Sequence, residues 1–165
     1  MKAMLKKKSV AIPLMALCIV LAVFAGMNAS FARQRGEIVE YYNAGIQQEL
    51  DRRMEAANSL IGLAQGEGVE ASLIQQVQED IEALRNAASP ADQFDANSVL
   101  SGSVAGLAKK TSGGEGFLQD FQAAQEAIQQ SSYNRQAQAY NAARTTFPVS
   151  VLRWALFSGS LEEFR

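Results

Sequence analysis

Three residue pairs stand seven positions apart near the end of the chain: Tyr133-Asn134, Tyr140-Asn141 and Phe147-Pro148. Seven residues is nearly two turns of an α-helix, so the rings fall along one face with the asparagines beside them. Such a series can do non-covalent chemistry of two kinds. Buried, the rings form a core stripe, and the asparagines need partners across helices because a mid-helix asparagine competes with its own backbone. Exposed, the rings form an aromatic groove for a peptide. Aromatic stripes at helical spacing usually belong to a core, so the core reading is preferred. A polar network joining Asn134 and Asn141 to Asn58, or to Arg52 and Arg53, is expected.

Residues for covalent or metal chemistry are sparse. The 165-residue chain has no histidine, which rules out a Ser-His-Asp triad, a Cys-His pair or a histidine-ligated metal within it. Glu79, Asp80 and Glu82, or Glu37 and Glu40, offer carboxylates. Ferritin-like sites pair such acids with histidine in Glu-x-x-His, so these acids read as surface. A glycosidase needs two facing carboxylates, and spacing alone does not make any pair face. The glycine-rich stretch Thr111–Gly116, TSGGEG, lacks the Lys-Ser/Thr that completes a phosphate loop. Cys18, the only cysteine, lies inside an apolar run, so no intrachain disulfide forms. The expectation is no catalytic residue, no metal site and no cofactor.

The elements that position these residues begin with an N-terminal segment. Val10 to Met27 is 18 residues without a charge, preceded by Lys2, Lys6, Lys7 and Lys8. A helix of that length rises about 27 Å, close to the hydrocarbon thickness of a bilayer. Two readings fit: a retained signal anchor, or a signal peptide cleaved after the small-x-small triplet Ser30-Phe31-Ala32. The length favours retention. The chain then divides into a basic segment at 1–9, a transmembrane signal anchor at 10–28 and a domain at 33–165. Four lysines before the span against Arg33 and Arg35 after it put the N-terminus in the cytoplasm and the domain outside. Past the span come 11 basic and 17 acidic residues, a net charge of −6. An acidic domain argues against nucleic acid and against broad adhesion to anionic lipid.

The domain reads as helical throughout, rich in Ala, Gln, Glu and Leu. Arg35 to about Ala64 carries an apolar stripe at Ile38, Tyr42, Ile46, Leu50, Met54, Ala57, Ile61 and Ala64, and no strong breaker separates it from the span. Gly66-Glu67-Gly68 is a turn. A second helix runs from Glu70 to about Ala88, with Ile74, Val77, Ile81, Leu84 and Ala88 in 3-4-3-4 steps. Ser89-Pro90 ends it. Asp92 caps a third helix to about Lys110, with Phe94, Leu100, Val104 and Leu107 inward. A fourth runs from about Phe117 to Phe147, and a five-residue offset between its two stripes implies a stutter or short break near Ser131-Ser132. The tail, with Val151, Leu152, Trp154, Leu156 and Phe157, either touches the membrane interface or caps the helices; capping is preferred.

The YN…YN…FP series, the span and the aromatic tail together resemble the LemA family of bacterial membrane-anchored helical proteins. Phe157 and Phe164 stand roughly where that family has its final aromatics. Its first bundle helix carries a QRR-x-DLIPNLV-like stretch and a nearby G-x-x-x-E; this chain has Leu50-Asp51-Arg52-Arg53, Asn58-Ser59-Leu60-Ile61, Gly66 and Glu70. The pattern departs at Ala57, where the family has proline, and at Gln130 to Ser132, where it has arginine. Asp92 to Gly116 shows little that matches. The resemblance implies an antiparallel four-helix bundle beside a membrane, all-α, with no established activity and no catalytic residues to carry over. The expected role is a membrane-tethered, non-enzymatic module on the outer face of the cytoplasmic membrane, binding another envelope protein. A secreted binding module, after cleavage near Ala32, is the alternative; a carboxylate-only enzyme ranks below both.

Overall fold

A computed structural model describes residues 2–146, 149–152 and 156–165, apart from the side chains of 2–10 and 151–152. Phe147, Pro148 and Trp154 therefore lie outside the described residues. Every regular element among those described is helical. α1 spans Lys2–Tyr42, a π-helical turn covers Asn43–Gln47, and α2 spans Gln48–Gly66. α3 is Ala71–Asn86, α4 Pro90–Ala108, α5 Glu115–Gln130, α6 Tyr133–Thr145 and α7 Val149–Leu152.

The first three elements form one unbroken helical rod. Its N-terminal part is long and apolar enough to cross a membrane, with mean hydropathy 2.2 over an 18-residue window, none of it buried. A core helix would be covered, so the exposure marks this stretch as unlike the rest of the rod. Beyond it the apolar stripe steps by four through Ile38, Tyr42, Ile46, Leu50 and Met54, all buried. In an ideal α-helix each step of four overshoots a turn by about 40°. The wider π turn at Asn43–Gln47 absorbs part of that drift and keeps the stripe facing inward.

Other boundaries follow local chemistry. Ser89, not Asp92, caps α4: its Oγ accepts from Asp92 N–H at 3.2 Å and Pro90 occupies the first turn. Ala88 is exposed and lies past the end of α3, so the heptad stripe stops at Leu84. Gly113 adopts φ +75°, and a Cβ on Gly114 would sit 2.9 Å from the Ala108 carbonyl oxygen, so the α4–α5 turn needs both glycines. The long fourth helix is broken: α5 ends at Gln130, Ser131 turns extended, and α6 restarts at Tyr133.

α5 and α6 run back along the rod. Gly113 approaches Leu63, Phe121 meets Arg53, Tyr133 meets Tyr42 and Tyr140 meets Phe31, an antiparallel register from the far end down to the apolar stretch. α3 and α4 pack on each other and on α2. At mid-height Arg53 is 1% exposed. It donates to the Phe121 carbonyl at 3.1 Å and to Ser101 Oγ at 2.5 Å, and its guanidinium lies 3.6 Å from the Phe121 ring centroid. No carboxylate joins it among the described residues, and burial holds its pKa down to about 10. Asn97, also buried, donates to Gln125 at 3.0 Å in the same layer.

A buried cation without an anion is costly, and the ring and carbonyl contacts offset only part of that. Arg53→Met removes the buried charge and fills most of the space of the stem while leaving the Phe121 and Ser101 acceptors unpaired, so it should cost clearly less than Arg53→Ala. Arg53→Ala leaves a cavity and unpaired acceptors and should cost about 3 kcal/mol. Denaturant unfolding of both full-length variants in micelles checks the order.

Candidate functional site

The first two pairs of the heptad series lie on α6, and α6 exists as a separate helix because of the two serines before it. Ser131 Oγ accepts from Tyr133 N–H at 3.2 Å, and Gln136 Nε2 donates to Ser132 Oγ at 2.8 Å. Ser132 also ties the break to the rod: its N–H and hydroxyl donate to Tyr41 Oη at 3.4 and 3.3 Å. The bonds from Ser132 lower the Tyr41 pKa. Tyr42 is the opposite case. Burial raises its pKa, its hydroxyl bonds Gln93 Oε1, and its ring tilts 4.7 Å from that of Tyr133.

The rings face the rod. Tyr133 packs on Tyr42, and Tyr140 meets Phe31 edge-on at 5.8 Å. Both tyrosines are buried, as the core reading expects. Their hydroxyls continue past the rod to the C-terminal segment. Tyr133 Oη donates to the Glu162 carbonyl at 2.6 Å, and Tyr140 Oη to the Gly159 carbonyl at 3.3 Å. Burial, with the nearby Glu162 charge second, raises the Tyr133 pKa and keeps this donor protonated.

The asparagines do not join Asn58, Arg52 or Arg53. Each pairs in both directions with one backbone position of the C-terminal segment. Asn134 Nδ2 donates to the Phe164 carbonyl at 2.8 Å and Oδ1 accepts from Phe164 N–H at 2.8 Å. Asn141 Nδ2 donates to the Leu161 carbonyl at 2.8 Å and Oδ1 accepts from Leu161 N–H at 3.0 Å. A carboxamide presents one acceptor and donors side by side, so it satisfies an extended residue as a neighbouring strand would.

The spacing explains the repeat. Seven residues of helix rise about 10.5 Å. Three residues of extended chain span about 10 Å. Successive Tyr-Asn pairs therefore meet backbone positions three apart: 162 then 159 for the tyrosines, 164 then 161 for the asparagines. Burial in the segment follows the same period of three, at Ser158, Leu161 and Phe164. Phe164 reaches the next layer, edge-on to Phe94 at 5.4 Å. The third pair, Phe147-Pro148, lies outside the described residues.

The remaining sequence candidates sit apart. Arg52 is exposed and bonds Glu49 at 3.0 Å; Asn58 is exposed. Glu37 pairs with Arg33 at 3.6 Å and Glu79 accepts from Gln75 at 2.8 Å, both on the surface. Among the described residues no group of three acids or cysteines comes together as a metal site would. An open groove of about 470 Å³ lies between α2 and α5, floored by alanines and edged by Glu49, Arg52, Glu55 and Asp120. The site's chemistry is the pairing of side-chain amides and hydroxyls with an extended backbone.

Sequence reasoning missed the C-terminal segment as the asparagines' partner and missed Phe31 as a core residue. The signal for the first was the apolar pair Leu161 and Phe164, three residues apart, facing a seven-residue Tyr-Asn period.

Asn141→Ala removes two hydrogen bonds and leaves Leu161 N–H and C=O unpaired, so it should cost about 2 kcal/mol. The Asn134→Ala/Asn141→Ala pair should cost more, while Asn58→Ala changes nothing measurable. Tyr140→Ala removes a buried ring and should cost about 3–5 kcal/mol. Thermal melts of the full-length variants read all four, and an unchanged melt for Tyr140→Ala would make the stripe an exposed groove instead. The clamp stands on its own geometry, since no family model matches the chain and none of the curated proteins compared with it does.

Proposed function

We propose that this protein is a membrane-tethered, non-enzymatic helical module that holds a binding face just outside the cytoplasmic membrane and engages another protein of the cell envelope. The observation that carries the reading is the unbroken rod: one helix runs from the apolar stretch into the centre of the domain. A tether continuous with the core gives the domain a defined height and little freedom to pivot. On this reading the rod, α3, α4 and the α5–α6 pair are the arms of an antiparallel four-helix bundle of the LemA kind.

Retention of the anchor is supported by what cleavage after Ala32 would remove. Phe31 is buried against Tyr140, and Asn28 Oδ1 accepts from Phe157 N–H at 3.0 Å. A signal peptide discarded at that point would take both contacts with it. The orientation rests on the four leading lysines outweighing Arg33 and Arg35. The partner-binding face we assign is the α2–α5 groove, whose mixed charges at Glu49, Arg52, Glu55 and Asp120 surround an alanine floor that accepts a close approach.

The membrane fraction should retain the protein through carbonate extraction, and protease added to spheroplasts should digest the domain. A mature mass beginning at Arg33, or full protection with the cytoplasmic side sealed, contradicts the respective half of the reading. For the partner, a photo-crosslinker at Ser59, on the groove edge, should give one discrete envelope adduct in intact cells. Arg52→Glu should abolish that adduct. Adducts only from positions away from the groove would move the binding face.

A further inference from the structure

We propose that the chain has a second membrane contact at Phe157, whose ring enters the lipid interface beside the point where α1 leaves the bilayer. Phe157 is 90% exposed, more than any other large apolar residue among those described, the apolar stretch of α1 included. Its height is set by its own backbone. Phe157 N–H donates to Asn28 Oδ1 at 3.0 Å, and Asn28 Nδ2 donates to the Phe24 carbonyl at 3.2 Å, which fixes the amide's orientation. Asn28 is the first polar side chain after the apolar run that ends at Met27. One residue of helix rises about 1.5 Å, so Phe157 is held at the outer limit of the hydrocarbon, the level at which aromatic side chains concentrate in membrane proteins.

A second observation agrees. From Ala11 to Met27 only Phe24 and Met27 have reduced exposure, and with Asn28 and Phe31 they follow helical spacing on one face. That face is where the C-terminal segment approaches the rod. Leu156, the residue before it, packs against the core, so the segment presents one apolar residue inward and one outward. An aromatic ring in water beside a bilayer surface has apolar area to bury and a lipid boundary within reach. The residues leading to it, Val149 to Phe157, read VSVLRWALF, with a single charge. A lipid interface suits this composition, whereas the acidic faces higher on the domain do not. The contact would make the attachment two-point and, through the Tyr-Asn clamp, tie the tilt of the domain to the membrane plane.

The inference rests on the tether being retained, and one preparation separates the two. The full-length chain carrying Trp154→Phe and Phe157→Trp has its one indole at position 157. It is reconstituted into phosphatidylcholine–phosphatidylglycerol vesicles bearing nitroxide either near the headgroup or near the acyl-chain end, and the vesicles are floated on a density gradient. The expected result is flotation, with quenching roughly twofold stronger from the shallow label than from the deep one. Flotation without lipid quenching, whether the indole is open to acrylamide or shielded by protein, overturns the contact and leaves the tether standing. Protein that fails to float overturns the tether and the contact together. If the double variant does not fold, the native chain reports through Trp154, three residues away, and the same absence of quenching overturns the contact.

Discussion

An extended segment laid against a helix has a hydrogen-bonding problem that neither helix nor sheet solves. Its N–H and C=O groups leave water without a ladder to enter, and an unpaired buried amide is costly. Here the answer is side-chain amides. Asn134 and Asn141 each pair with both backbone groups of one residue, and Tyr133 and Tyr140 donate to the carbonyls of Glu162 and Gly159, each two residues before. The match of a seven-residue helical repeat to a three-residue extended repeat makes this possible twice in succession. The placement of the C-terminal segment depends on it, and so does the burial of Leu161 and Phe164.

The clamp also joins the levels of the molecule. Tyr140 touches Phe31 near the apolar stretch, Tyr133 touches Tyr42 one layer up, and Phe164 reaches Phe94 on α4. α6 is thus wedged between the rod and the C-terminal segment. Above that wedge the packing changes character. Arg53 and Asn97 put polar groups at the centre of the domain, and the apolar layer around Leu60 closes the far end against Gly114. Aromatics and side-chain amides dominate the packing nearest the apolar stretch of α1, and aliphatic packing dominates at the opposite end.

Much of the architecture was legible in the sequence. The stripe from Ile38 to Ala64 is buried at each of its eight positions, because a long amphipathic pattern admits one inward face. The five-residue offset near Ser131 marked a true break, and Ser89-Pro90 marked a boundary, though the cap fell on Ser89 rather than Asp92. Tyr133 and Tyr140 are core, as heptad aromatics suggest. What the sequence hid is long-range and polar. Nothing local tells an asparagine whether its partner is another side chain or a backbone twenty residues away, so Asn58 and Arg52 were natural but mistaken partners. Arg53 looked like its neighbour Arg52, and only the register with α5 separates a buried arginine from an exposed one.

The amide protons of Leu161 and Phe164 test the clamp most directly, because each has one acceptor, an asparagine Oδ1. Hydrogen exchange on the full-length protein in lipid nanodiscs, resolved to single residues, reads them without any mutation. The account predicts that both are protected to a degree comparable with core amides of α6, while neighbouring Ser160 and Glu162 exchange faster. Exchange of Leu161 and Phe164 at the rate of an unstructured chain would mean that the asparagines do not hold the segment, and the account would fail at its centre.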